Sequence, residues 1–250
     1  MKKLFKRDRI TALFKLAIPL FLETLLAQFL GSIDTIMISK YNEPSVAAIG
    51  NANTVIGFLT VLFAICSIGV GIIVSQYLGA NEIEKSNMVL GHGIIFNLFI
   101  AIIIALIFII WNKPLLKMTN TPSDIIDEAS GYIRIVSIGL PFLAMTSCMS
   151  SNFKSHSKPL VVTIVSFSAN ILNVILNYIL IYGFLGIPSL GYKGAAIATV
   201  ICHIFTCLTT ILLTKIILKQ KIFIFKLDKN ITKAIIKIGG PSALENICYN

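Results

Sequence analysis

The chain has 250 residues, 56% of them hydrophobic and only 13% charged, with a formal net charge of +10. A mean hydropathy of +0.88 and so few charges exclude an ordinary soluble domain, in which about a quarter of the residues are charged. Five cysteines (Cys66, Cys148, Cys202, Cys207 and Cys248) are scattered through apolar segments without CxxC or zinc spacing. They read as small buried hydrophobes, which leaves no metal or redox centre.

In chain order, the first element follows the basic segment MKKLFKRDRI. That segment is charged like the start of a signal peptide, but the apolar stretch behind it is too long and lacks a small-residue cleavage site, so it is kept as a span. Crossing a membrane takes about 20 apolar residues. Stretches near that length lie at 11–38, 46–78, 89–112, 125–153, 159–184 and 193–217, and a seventh starts near 232. The third is the plainest, since Asn97 is the only polar side chain in IIFNLFIAIIIALIFII. Short turn-rich joints separate the spans, and one longer basic connection, KIILKQKIFIFKLDKNITK, leads to the last.

Orientation follows from the lysines and arginines, which collect on the cytoplasmic side of short loops. With the N-terminus inside, 16 of the 21 fall on the cytoplasmic side and only Lys40, Lys113, Lys117 and Lys193 outside, with Arg134 within the fourth span. The positive charge is therefore a topology signal, and a nucleic-acid partner is excluded. The predicted location is the plasma membrane, multi-pass, with a cytoplasmic N-terminus.

The last segment repeats the first. Lys15, Pro19 and Glu23 in KLAIPLFLE return as Lys237, Pro241 and Glu245 in KIGGPSALE, a shift of 222 residues, and each set opens a span after a basic stretch. The predicted architecture is an all-α integral membrane protein with a six-helix lobe at 1–217, a cytoplasmic connection at 218–231, and the first part of a second six-helix unit at 232–250. On this reading the chain stops within helix 7.

Three acidic residues fall inside spans: Glu23, Asp34 and Glu245. An ionisable group there costs about 2.5 to 3.5 kcal/mol on insertion scales, so it faces protein or a water-filled cavity and is a functional candidate. Asp34 falls in the outer half of span 1. Asn170, Asn173 and Asn177 share one helical face of span 5, where Asn173 and Asn177 lie at about the depth of Asp34. Thr199 of span 6 joins them at that level, and Asn51 and Asn53 lie near the top of span 2.

A lone carboxylate among amides and a hydroxyl has no fixed positive partner, so burial leaves it protonated or bound to a cation. Asparagine and threonine oxygens are hard ligands of the kind Na⁺ accepts, so Asp34, Asn173 and Asn177 suit Na⁺ or H⁺ equally. The competing reading makes the asparagines interhelical glue, worth about 0.6 kcal/mol each. Glu23 is either a second protonation site in the cavity or a partner for backbone freed near the Pro19 kink. Tyr178 is a cavity candidate or, like Tyr182 and Trp111, an interfacial anchor. His92, His156 and His203 read as near-cytoplasmic residues without ligand partners.

The segments IPLFLETLLAQFLGSIDTIMIS, GVGIIVSQYLGANE, GLPFLAMTSCMSSNFKSHSKP, NILNVILNYILIYGFLGIPSLGYKGAAIATV and KIGGPSALENI, in that order, resemble the multidrug and toxic compound extrusion (MATE) transporters along the whole chain. The resemblance implies a twelve-helix antiporter in two six-helix lobes, exporting organic cations and other amphipathic compounds against inward Na⁺ or H⁺. The family's helix 1 aspartate matches Asp34, and a bending proline fifteen residues earlier matches Pro19. Its helix 5 polar pair matches Asn173 and Asn177, and its helix 6 threonine matches Thr199. DinF-like members carry an aspartate where this chain has Asn177, so the likeness is closer to the NorM-like branch.

The expectation is thus an ion-coupled exporter with no organic cofactor. Its partners are small amphipathic or cationic substrates and the bilayer, and the complete protein is a monomer. A flippase for lipid-linked oligosaccharides would favour several buried arginines or lysines, and only Arg134 qualifies. A non-transporting membrane subunit would leave Asp34 dispensable and the polar residues apart. No His, Cys or paired-carboxylate constellation supports an enzyme.

Overall fold

The computed structural model describes residues 35–184, 186 and 188–220, together with 18, 21, 25, 33, 231, 233–235 and 237–241. Pro19, Glu23, Asp34 and Glu245 lie outside the described residues. The regular structure is helical: α1 (35–41), α2 (Glu43–Gly79), α3 (Ile83–Met118), α4 (Ile126–Val136), a 3₁₀ turn (Ser137–Gly139), α5 (Leu140–Ser155), α6 (Pro159–Tyr182) and α7 (Tyr192–Ile217). Residues 231, 233–235 and 237–241 are also helical, and 237–241 is called α8. Among the described residues, five helices are long and apolar enough to cross a membrane: α2, α3, the continuous run Ile126–Ser155, α6 and α7. The chain is an all-α, multi-pass membrane protein.

Local chemistry sets the boundaries. Proline occupies the first turn of α2, α5 and α6, where its missing N–H costs nothing. The chain leaves α2, α3 and α6 through left-handed backbone at Asn81 (φ 59°), Asn120 (φ 53°) and Gly183 (φ 79°), residue types that tolerate that region. One boundary differs from the sequence reading: the third span continues to Met118 and does not stop at 112. Pro114 lacks an N–H and crowds the carbonyl of Ile110, so the helix bends at Trp111 (φ −110°, ψ 26°) without ending. Trp111 itself is exposed, as suits a lipid-interface anchor.

In the packing, α2 lies against α3, α4 and α5, while α6 lies chiefly against α7, which also touches α4 and α5. Two apolar clusters stack along the bundle. One, at the Lys40 end, gathers Ile49, Phe63, Phe108, Ile133, Leu140 and Ile181. The other, toward the Lys158 end, gathers Val70, Val74, Leu90, Ile94, Met149 and Ile235. Ile235 belongs to this cluster because the last helical stretch crosses α2 where neither helix has a side chain: a Cβ on Gly69 would collide with Ile235 O, and one on Gly239 with Ile65 O. Small residues that bring backbones together are the usual means of packing helices in a membrane.

Asn97 sits where the clusters meet, fully buried. Its Nδ2 donates to Ala144 O at 3.0 Å and Phe63 O at 3.4 Å, linking α3 to α5 and α2. Those carbonyls also have helical partners, so the bonds are auxiliary. Asn97→Ala is expected to cost about 0.6 kcal/mol, the average for such bonds in membrane helices, measured by equilibrium unfolding in mixed micelles. At the Lys40 end, Ser45 Oγ donates to Glu128 Oε2 at 2.6 Å, tying α2 to α4.

Candidate functional site

Polar residues recur along facing sides of α6 and α7. Ser166, Asn170, Asn173 and Asn177 follow one another at four-, three- and four-residue steps on α6, and Thr199, His203 and Thr206 at four- and three-residue steps on α7. Such steps keep a residue on one helical face. The two stripes can meet because Gly194 lets the backbones approach: a Cβ there would lie 2.6 Å from Leu180 C and O.

Between the stripes, with Thr146 of α5 closing one side, lies a cavity of about 380 Å³. Asn170, Asn173, Thr199, His203 and Thr206 line it. Asn177, almost fully buried, stands behind: its Nδ2 donates to Asn173 Oδ1 at 3.0 Å. That bond orients Asn173. Thr199 Oγ1 donates to Ala195 O at 3.0 Å, so toward the cavity it offers only lone pairs.

Of the residues singled out in the sequence, Asn170, Asn173, Asn177 and Thr199 are brought together. Asn51 and Asn53 are not part of this lining. Asn51 Nδ2 donates back to Ala47 O at 3.0 Å, and Asn53 is exposed on α2. Tyr178 belongs to a different feature, an open, largely apolar crevice between α1 and α6 that it lines with Ile36, Met37, Lys40 and Val174. Its ring meets Tyr182 edge-on with centroids 5.7 Å apart. Tyr182 Oη donates to Met37 O at 2.6 Å, fastening α1 to α6. Arg134 is exposed on α4, so the cation that stood for the flippase reading is not buried.

The placement of His203 near the cytoplasmic end is corrected. It lies midway along α7, because the helix runs on to Ile217, fourteen residues or about 21 Å further at 1.5 Å per residue. His203, Thr206, Ser166 and Thr146 are the lining residues that sequence reasoning missed. The stripe Thr199–His203–Thr206 was available as a signal, with the three- and four-residue steps of the asparagine stripe in reverse order. His156 does sit at the Lys158 end: its Nδ1 lies 2.9 Å from Asn152 O. Gln220, which accepts from Asn152 Nδ2 at 2.8 Å, bridges these residues to the end of α7.

A family model described as MatE matches residues 19–179. "Uncharacterized transporter YisQ" of Bacillus subtilis (strain 168) is 32% identical over 247 residues, covering 97% of this chain and 54% of that protein. "Probable multidrug resistance protein NorM" of Thermotoga maritima is 25% identical over 248 residues, covering 95% and 52%. A solved structure, the outward-facing conformation of a multidrug resistance MATE family transporter of the MOP superfamily, superposes with a TM-score of 0.82 at 22% identity, over 94% of this chain and 52% of that one. The chain spans about half the length of the relatives it matches.

Proposed function

The chain belongs to the MatE family, and from that premise we propose that it forms one six-helix lobe of an ion-coupled exporter, closer to the NorM-like branch, carrying drugs, organic cations or toxic metabolites out of the cell. The observation that carries the reading is the cavity in which Asn170, Asn173 and Thr199 converge, with Asn177 bonded behind Asn173. A helix pair with a purely structural role would turn such groups toward each other, whereas here they line space.

The mechanism rests on Asp34. The helical residues that follow it in the chain pack on α6, the helix of Asn173 and Asn177, through the Tyr182–Met37 bond. Asp34, Asn173, Asn177 and Thr199 together supply one negative charge and neutral oxygens, a set that takes Na⁺ or H⁺. The ion entering from outside neutralises Asp34, the first helix bends at Pro19, and the reshaped cavity releases its substrate. Coupling requires the two states to differ in affinity for both ion and substrate.

The test is efflux of a cationic dye from vesicles containing the full-length protein, with sodium and pH gradients imposed separately. Efflux driven by at least one gradient is the expected result. Efflux that ignores both gradients would refute ion coupling, and no efflux of any cation would refute the exporter reading.

A further inference from the structure

We infer that His203, with the threonine oxygens beside it, is a specificity-determining residue: it accepts a hydrogen bond from an N–H of the substrate, so that cations bearing N–H donors are preferred over cations that have none. The inference rests on the exporter reading and concerns the same cavity, in which His203 and Thr206 stand beside Asn170 and Asn173.

The wall chemistry carries it. Thr146 Oγ1 donates to Phe142 O at 2.9 Å, Thr199 Oγ1 to Ala195 O at 3.0 Å and Thr206 Oγ1 to Cys202 O at 2.7 Å. A hydroxyl has a single proton, and in all three it is committed to the preceding turn of the same helix. What these side chains present to the cavity is therefore lone pairs. No lysine or arginine is among the described lining residues. A guest with N–H donors satisfies oxygens that a guest without them leaves unpaired, and an unmade buried hydrogen bond is costly.

His203 adds the strongest acceptor of the set. In the neutral ring one nitrogen carries a proton and the other a lone pair. No hydrogen bond to a described residue engages either nitrogen, and the side chain lines the cavity. The ring is held from behind at the 3₁₀ turn: a Cβ on Gly139 would lie 2.9 Å from His203 Cδ2. Gly139 thus makes the space the imidazole occupies, and the break between α4 and α5 acquires a positioning role.

The experiment compares two probes in nanodiscs of the full-length protein. Ethidium is a planar cation with two amino groups, and tetraphenylphosphonium is a cation with no N–H. His203→Leu is expected to weaken ethidium binding about tenfold, the equivalent of one good hydrogen bond, and to change tetraphenylphosphonium binding less than about twofold. His203→Gln, which restores an acceptor, is expected to recover most of the ethidium loss. Thr206→Val, a second and milder variant, should shift the ratio in the same direction. An equal loss for both probes, or an unchanged ratio in His203→Leu and Thr206→Val alike, would overturn the inference and leave the exporter reading standing. Failure of the unsubstituted protein to bind either probe would overturn that reading and the inference with it.

Discussion

Replacing Asp34 with asparagine is expected to cut ion-driven efflux by about 5- to 150-fold, the range of a coupling free energy of 1–3 kcal/mol, while the full-length protein reaches the membrane at normal levels. The substitution is nearly isosteric and removes only the ability to gain and lose a charge. An amide still bonds to neighbouring asparagines, so a carboxylate acting as interhelical glue would be replaced at little cost. An ion-binding carboxylate has no such substitute, because the cycle needs a group that is charged in one state and neutral in the other. Passive, downhill exchange of substrate should survive in the variant, which separates lost coupling from lost folding. Undiminished gradient-driven efflux at normal membrane levels would refute the mechanism.

Gly194→Val is expected to produce the largest structural effect of any single change in the α6–α7 pair. The first added carbon already lies 2.6 Å from Leu180 C and O and 3.0 Å from Ile181 N. These are backbone atoms of a helix, which cannot rotate out of the way as a side-chain tip would. The helices must separate, and overpacking of this kind costs about 1–3 kcal/mol or more. Separation would also widen the gap between the asparagine and threonine stripes, so substrate binding should fall with stability. Gly50→Ala is the control. A Cβ at Gly50 meets nothing within 4 Å, and alanine gains about 0.8–1.0 kcal/mol of helix propensity over glycine. Thermal unfolding in detergent is expected to move down for Gly194→Val and slightly up for Gly50→Ala. The two moving together would show that the crossing at Gly194 is not tightly packed.

The five spans that fall on described residues were legible because lipid requires long apolar runs. The second span, predicted at 46–78, is Glu43–Gly79, and the sixth, predicted at 193–217, is Tyr192–Ile217. Where the reading stopped short, a local breaker was outweighed by packing. Pro114 looks like an end in sequence, yet Leu116 beyond it is fully buried, and burying it offsets the cost of a bent helix. The break at Ser137–Gly139 was not read, although Pro141 in the first turn of α5 removes the N–H that would bond the Ser137 carbonyl.

The candidate site was legible in part, for a reason of residue type. Asparagines stand out in a membrane helix because an amide must find a partner there. Threonines hide, since each can satisfy its own proton on the preceding turn, as Thr199 and Thr206 do. His203 was misplaced in depth and so never set beside Asn170 and Asn173, although its spacing from Thr199 puts both on one face of α7. Asn51 and Asn53 were grouped with the site by depth alone. Depth fixes height along the membrane but not direction around a helix, and α2 packs on the far side of the bundle against α3, α4 and α5.

The central claim is that a carboxylate without a permanent counter-ion takes its positive charge from the external medium. Infrared difference spectroscopy of the full-length protein, labelled at aspartate and compared with Asp34→Asn, reads that charge directly. In sodium-free buffer, acidification should produce a protonated-carboxyl band that is absent from the variant, and added sodium should suppress the band if Na⁺ competes for the site. A carboxylate that stays ionised at every accessible pH, unaffected by sodium, would contradict the account.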